Sequence, residues 1–74
     1  MEYKLKIRDL REDHDMTQQN IADYLGTSQT MYARYERGAS EMPLRHLIRL
    51  AQYYNVSMDY ITGVTNIKTP FYKK

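Results

Sequence analysis

The stretch TQQNIADYLGTSQTMYARYERG, residues 17–38, packs two helix starts and two helix stops into 22 positions. Thr17 is a good N-cap, and Met16 before it and Ile21 four positions into the helix are placed to form a hydrophobic staple. A helix over about 17–25 then turns Ile21, Ala22 and Leu25 inward. Gly26 follows, where a helix end calls for the left-handed conformation that glycine tolerates. Ser28 caps again two residues later. Two short helices joined through one glycine must meet at a steep angle, and Ala22, lacking bulk, lets them approach closely.

The second of these helices, Ser28 to Arg37, divides into two faces when each residue is advanced by about 100°. Met31, Tyr32, Tyr35 and Glu36 form a bulky, largely apolar arc. Gln29, Thr30, Ala33, Arg34 and Arg37 form the other, which carries an amide, a hydroxyl, a methyl and two guanidiniums. No aliphatic side chain longer than alanine interrupts it. A face of this kind suits base edges: Gln pairs bidentately with adenine, Arg with guanine or a phosphate, and Ala or Thr offers a methyl to thymine. For an isolated helix the same face reads more readily as a solvated surface, and it is the context of the neighbouring helix that favours base edges.

Working outward, Tyr3, Ile7, Leu10, Arg11 and His14 predict a first helix with one apolar stripe. Arg11 is an odd member of that stripe, and the run EDHD at 12–15 reads as its solvated end. Downstream of Gly38, Pro43 sits in a first turn, and Leu44, Leu47, Ile48, Leu50, Ala51 and Tyr54 predict an amphipathic fourth helix with Arg45 and Arg49 outside. Asn55 closes it. Ser57 caps a short fifth helix, with Val56 and Ile61 as its staple, and Gly63 stops it. Residues 64–74, VTNIKTPFYKK, are polar, contain Pro70 and lack periodicity, so they read as a tail. The expected fold is all-α, a compact five-helix bundle, with a domain over 1–63 and a tail over 64–74.

The 74 residues include no cysteine or tryptophan. That length allows one small domain whose core is too small for a deep catalytic cavity. Without cysteine there are no disulfides, thiolate metal sites or Cys nucleophiles. His14 and His46 are lone histidines in different helices, and the three glycines form no phosphate loop, so neither an enzyme, a cofactor nor a metal is expected. No apolar run is long enough to span a membrane. Within 1–63 eight basic residues face nine acidic ones, and Lys68, Lys73 and Lys74 add the remaining positive charge. Any basic footprint must therefore be local.

Residues 17–38 resemble the helix-turn-helix of the Cro/repressor, or XRE-type, regulator family. The likeness rests on an ordered set: Thr17-Gln18, Ile21-Ala22, Leu25-Gly26, Ser28, Tyr35-Glu36-x-Gly38 and NVSMDYITG at 55–63. Leu10-Arg11, Gly38 to Pro43 and LRHLIRLAQYY at 44–54 extend it over about 60 of the 74 residues. The resemblance implies a lambda-repressor-like DNA-binding domain that places helix 28–37 in the major groove of double-stranded DNA, and a transcriptional regulator, most simply a repressor. By position it implies base contacts from Gln29, Thr30, Ala33 and Arg34. It assigns phosphate contacts to Gln18, which also buttresses Gln29, and to Arg37 with the amides of Gly38, Ala39 and Ser40. It pairs Arg11 with Glu36 as a structural ion pair, and sets Tyr32 where the family carries Ile or Val.

Because one recognition helix reads only a few base pairs, a homodimer on a pseudo-palindromic operator is expected. The lack of an apolar run predicts a cytoplasmic protein, and the resemblance implies a bacterial or phage origin. Met58, Tyr60, Ile67, Phe71 and Tyr72 are the expected dimer contacts. Eight tyrosines and one phenylalanine keep open a different use of the same fold, a protein-interaction module or antitoxin-type partner, because tyrosine is favoured at interfaces.

Overall fold

The computed structural model describes residues 5–68. Five helices occur among them: α1 (Ile7–Asp13), α2 (Gln18–Leu25), α3 (Gln29–Arg37), α4 (Leu44–Tyr54) and α5 (Met58–Ile61). The described residues form no strand. The fold is all-α.

Local chemistry sets the helix ends. Thr17 Oγ1 accepts from the Asn20 N–H, and Asn20 Oδ1 accepts from the Thr17 N–H, each at 3.0 Å. This reciprocal pair fixes the start of α2 and satisfies two donors that the helix leaves open. Ser28 and Ser57 cap α3 and α5 by accepting from the N–H groups of Met31 and Tyr60. Gly26 and Gly38 close α2 and α3 at φ +78°, and Asn55 closes α4 at φ +57°. Pro43 precedes α4 as its N-cap instead of lying inside its first turn.

The core gathers Ile7 and Leu10 of α1, Ile21, Ala22 and Leu25 of α2, Tyr32 and Tyr35 of α3, Leu50, Ala51 and Tyr54 of α4, and Ile61 of α5, with Met42 and Val56 from the connections. The α2 face is as its spacing predicts. Four readings need correction. The first helix starts at Ile7, and Tyr3 lies outside the described residues. His14 is exposed, held at the helix end by an Nδ1 bond to the Leu10 carbonyl and by its ring against Tyr54. Met31 is exposed because Tyr32 and Tyr35 already fill the space beneath α3. On α4, Leu44 and Ile48 are 63% and 41% exposed while His46 is buried. The apolar stripe of α4 is wider than the core it meets: Leu50, Ala51 and Tyr54 are buried, Leu47 packs partly against the core, and Leu44 and Ile48 are left open.

Both ends of the described chain return to α5. The Lys6 N–H donates to the Ile61 carbonyl at 2.9 Å, and the Ser57 N–H to the Lys68 carbonyl at 2.7 Å. The Ser57 hydroxyl also donates to the Ile67 carbonyl at 3.2 Å. Phe71 and Tyr72 lie outside the described residues.

Candidate nucleic-acid interface

The buried underside of α3 holds the residue that organises its outer face. Glu36 ends on the inner side of the helix, where Arg11 of α1 reaches it with two bonds: Nε to Oε2 at 2.7 Å and Nη2 to Oε1 at 3.2 Å. The side chains are 13% and 4% exposed, so this is a buried fork, not a surface pair. The odd place of Arg11 on an apolar stripe thus has a physical reason. Its third arm, Nη1, donates to the Met16 carbonyl at 2.9 Å and ties the approach to α2 into the same knot. Burial alone would raise the Glu36 carboxyl, but the bonds from Arg11 and Gln18, with a contribution from Tyr32, hold it below the usual carboxylate value. Arg11 is correspondingly raised, chiefly by its bond to Glu36.

Tyr32, fully buried, lies beside that carboxylate with its hydroxyl outside the geometry of a hydrogen bond. Burial, reinforced by Glu36, pushes its phenol far above the ordinary value. It occupies the space under α3 and stays neutral.

From Glu36 the bonding continues outward. Gln18 Nε2, in the first turn of α2, donates to Glu36 Oε1 at 3.0 Å, and Gln29 Nε2, in the first turn of α3, donates to Gln18 Oε1 at 2.6 Å. Gln29 is exposed, as are Thr30, Arg34 and Arg37, with Ala33 half-buried between them. The five residues of the polar arc therefore lie on one accessible side of α3. Arg34 Nε donates to the Ser40 hydroxyl at 3.0 Å, which holds the guanidinium against the loop after α3. Arg37 stands apart at the rim of an open groove shared with Lys6, Arg8, Asp9 and Glu12.

The amides of the loop after α3 have backbone partners. The Gly38 N–H donates to the Tyr35 carbonyl, and the N–H groups of Ala39 and Ser40 donate to the Arg34 carbonyl at 2.9 and 3.4 Å. They complete the end of α3 by bonding back into its last turn. Side chains, Ser40 and Arg37, are what this loop offers outward.

Two features escaped the sequence. Glu36 reads there as a partner for Arg11 alone, whereas it also anchors Gln18; nothing in the spacing of residues 18 and 36 announces a contact between different helices. Arg49, expected merely outside α4, donates through Nη2 to the Tyr24 carbonyl at 3.0 Å and lies 4.7 Å from the centre of that ring, joining α4 to the end of α2. Tyr53 completes this cluster, 4.8 Å from Tyr24. Met58 and Tyr60 are packed partly against the core, and Tyr60 lies under the ammonium groups of Lys6 and Lys68 at 5.5 and 5.6 Å. They are therefore less free for a dimer contact than their sequence position implies.

No helix among the described residues is long and apolar enough to cross a membrane. A solved structure of a transcriptional regulator from Listeria innocua superposes with a TM-score of 0.77 at 21% identity, covering 100% of this chain and 68% of its own, and so shares the fold. In sequence, the chain is 37% identical over 68 residues to YobD of Bacillus subtilis, an uncharacterized HTH-type transcriptional regulator, covering 92% of this chain and 61% of YobD. It is 35% identical over 54 residues to RstR, the cryptic phage CTXphi transcriptional repressor of Vibrio cholerae, covering 73% of this chain and 49% of RstR. The chain thus spans about half to three-fifths of the length of these relatives. A family model described as Helix-turn-helix matches residues 7–61, the span from the first residue of α1 to the last of α5. The chain belongs to the helix-turn-helix family of XRE-type regulators.

Proposed function

We propose that this protein binds double-stranded DNA sequence-specifically and regulates transcription, as a repressor, with α3 in the major groove. The observation that carries this reading is the polar side of α3: Gln29, Thr30, Arg34 and Arg37 are all exposed, while Tyr32 and Tyr35 anchor the opposite side. Gln29, Thr30, Ala33 and Arg34 are the base-reading residues. Gln18 keeps one amide N–H and the backbone N–H of a first helical turn for a phosphate. Arg37 and Ser40 hold the backbone strand on the other side, with Gly38 and Ala39 shaping the loop that presents them.

One recognition helix reads only a few base pairs, which is too little for tight and specific binding at physiological salt. Two copies related by a two-fold axis would set their α3 helices about 34 Å apart, one turn of DNA, and would read a pseudo-palindromic operator. Val64 and Ile67, both exposed beside α5, are the apolar side chains that favour a homodimer through this end.

Gel shifts against random duplexes over a salt series, beside a pull-down from lysate, test the reading. Gln29→Ala is expected to erase sequence preference at one position, since a bidentate base contact contributes roughly 1–3 kcal/mol of discrimination. Arg37→Ala should weaken all duplexes alike and flatten the salt slope by about one unit. Protein that retains lysate partners but shifts no duplex would replace DNA with a protein partner.

A further inference from the structure

The hydrogen bonds beneath α3 have a direction. An ionised carboxylate only accepts, and an arginine guanidinium only donates. Arg11 saturates one side of Glu36, so the amide end that Gln18 turns to Glu36 Oε1 has to be its NH2, at 3.0 Å. The carbonyl end of Gln18 then faces the other way, and only a donor can meet it. That donor is Gln29 Nε2 at 2.6 Å. One amide N–H and the carbonyl oxygen of Gln29 remain for a ligand, a donor beside an acceptor.

In the major groove that combination matches adenine, which presents the N7 acceptor beside the N6 donor; guanine presents two acceptors, N7 and O6. Were the direction reversed, Gln29 would give its carbonyl to Gln18 and turn its NH2 outward, two donors suited to guanine. We propose that Glu36, through Gln18, is a specificity-determining positioning residue: the buried Arg11–Glu36 pair fixes the amide orientation of Gln29 and so makes it read adenine in preference to guanine. The inference rests on the DNA-reading function proposed above and adds to it the source of the base choice. It gives the ion pair a second role beside stability. Desolvation makes breaking such a pair costly, and the same burial keeps water from supplying an alternative partner that would let the amides turn.

The probe is a library of double-stranded oligonucleotides with a randomised core, selected and sequenced with the full chain and its variants at a temperature where circular dichroism shows each to be folded. Gln29→Ala identifies the position that Gln29 reads. Glu36→Gln replaces the obligate acceptor by an amide that can face either way. At that position the preference for adenine over guanine should fall from roughly tenfold or more to within about twofold, while preferences at positions read by Thr30 and Arg34 persist. Gln18→Met cuts the chain in its middle and leaves the ion pair whole, so it should produce the same local loss even if Glu36→Gln folds poorly. A merely structural Glu36 would shift the melting temperature and affect all positions together or none. Adenine preference retained in either folded variant, at a position that Gln29→Ala flattens, overturns the proposal and leaves the DNA-binding function standing. A wild-type selection without sequence preference overturns both.

Discussion

Between α3 and α4 the molecule changes the way it fixes its outward-facing side chains. On α3 the polar face is tied to the interior through Gln29 to Gln18, Gln18 to Glu36 and Glu36 to Arg11, and Arg34 is held at the surface by Ser40 of the following loop. On α4 the outer side chains rest mainly on aromatic contact, Arg49 against Tyr24 and Tyr24 against Tyr53, with single hydrogen bonds from Arg49 to the Tyr24 carbonyl and from Tyr53 to Met16 Sδ, and Leu44 and Ile48 lie in the open. Hydrogen bonds carry direction and dispersion does not. The linked bonds of the first region can therefore specify which atom of an amide faces outward, whereas the isolated bonds of the second only pin a side chain in place.

The largest effect should come from cutting the knot under α3. Arg11→Ala leaves the Glu36 carboxylate buried without its cation, and losing one partner of such a pair typically costs about 3–5 kcal/mol. This is a large part of the 5–15 kcal/mol typical of a whole protein. The double change Arg11→Met with Glu36→Leu should recover much of it, because an apolar pair of similar volume needs no solvation. Urea denaturation of the three proteins measures both steps. An unchanged midpoint in the single variant would show that the fork contributes nothing and that α3 is held by packing, like α4.

Acid titrates the two regions separately. Burial, then the charges of Arg45 and Arg49, lowers the pKa of His46 in the folded state. The unfolded chain thus binds its proton first, and the stabilisation, complete above about pH 6.5, declines as pH falls toward the folded value. The Glu36 carboxyl is also lowered on folding, so its contribution is present above the ordinary carboxylate range near pH 4.3 and is lost as pH falls through the folded value. Thermal unfolding across pH 3–8 should show two declines. His46→Gln should remove the upper one alone; a variant that keeps both would take His46 out of the account.

A smaller loss is expected where the chain returns to α5. Ser57 Oγ accepts from the Tyr60 N–H and donates to the Ile67 carbonyl. Ser57→Ala removes an N-cap, a change typically costing about 1 kcal/mol. Amide exchange should quicken around residues 57–68 while the amides of α3 keep their protection. Uniform acceleration would mean that this end is not an independent unit.

The difference between the regions also explains what the sequence made legible. Helix ends were readable because capping is local: Thr17, Gly26, Ser28, Gly38, Asn55 and Ser57 act on neighbours within a few positions. The face of α3 was readable because helical periodicity sorts Gln29, Arg34 and Arg37 from Tyr32 and Tyr35 without outside help. The bond from Gln18 to Glu36 joins residues 18 positions apart on different helices, and no periodicity encodes it. Leu44 and Ile48 failed in the opposite way, since amphipathic spacing marks a stripe but not how much of it the neighbouring helices cover.

That uncovered stripe carries the smallest expected effect on the monomer and the sharpest question about assembly. Leu44 and Ile48 lie one turn apart on α4, on the same face. Replacing both by glutamine keeps helix propensity and removes exposed apolar area, so each change should alter stability by no more than about 0.5 kcal/mol. If a dimer forms through Val64 and Ile67, sedimentation of Leu44→Gln with Ile48→Gln should match the wild type, with and without duplex, whereas Val64→Ser with Ile67→Ser should shift toward monomer. The reverse result would move the interface onto α4. The surface that packing leaves open there would then serve assembly, as the hydrogen-bonded face of α3 serves recognition.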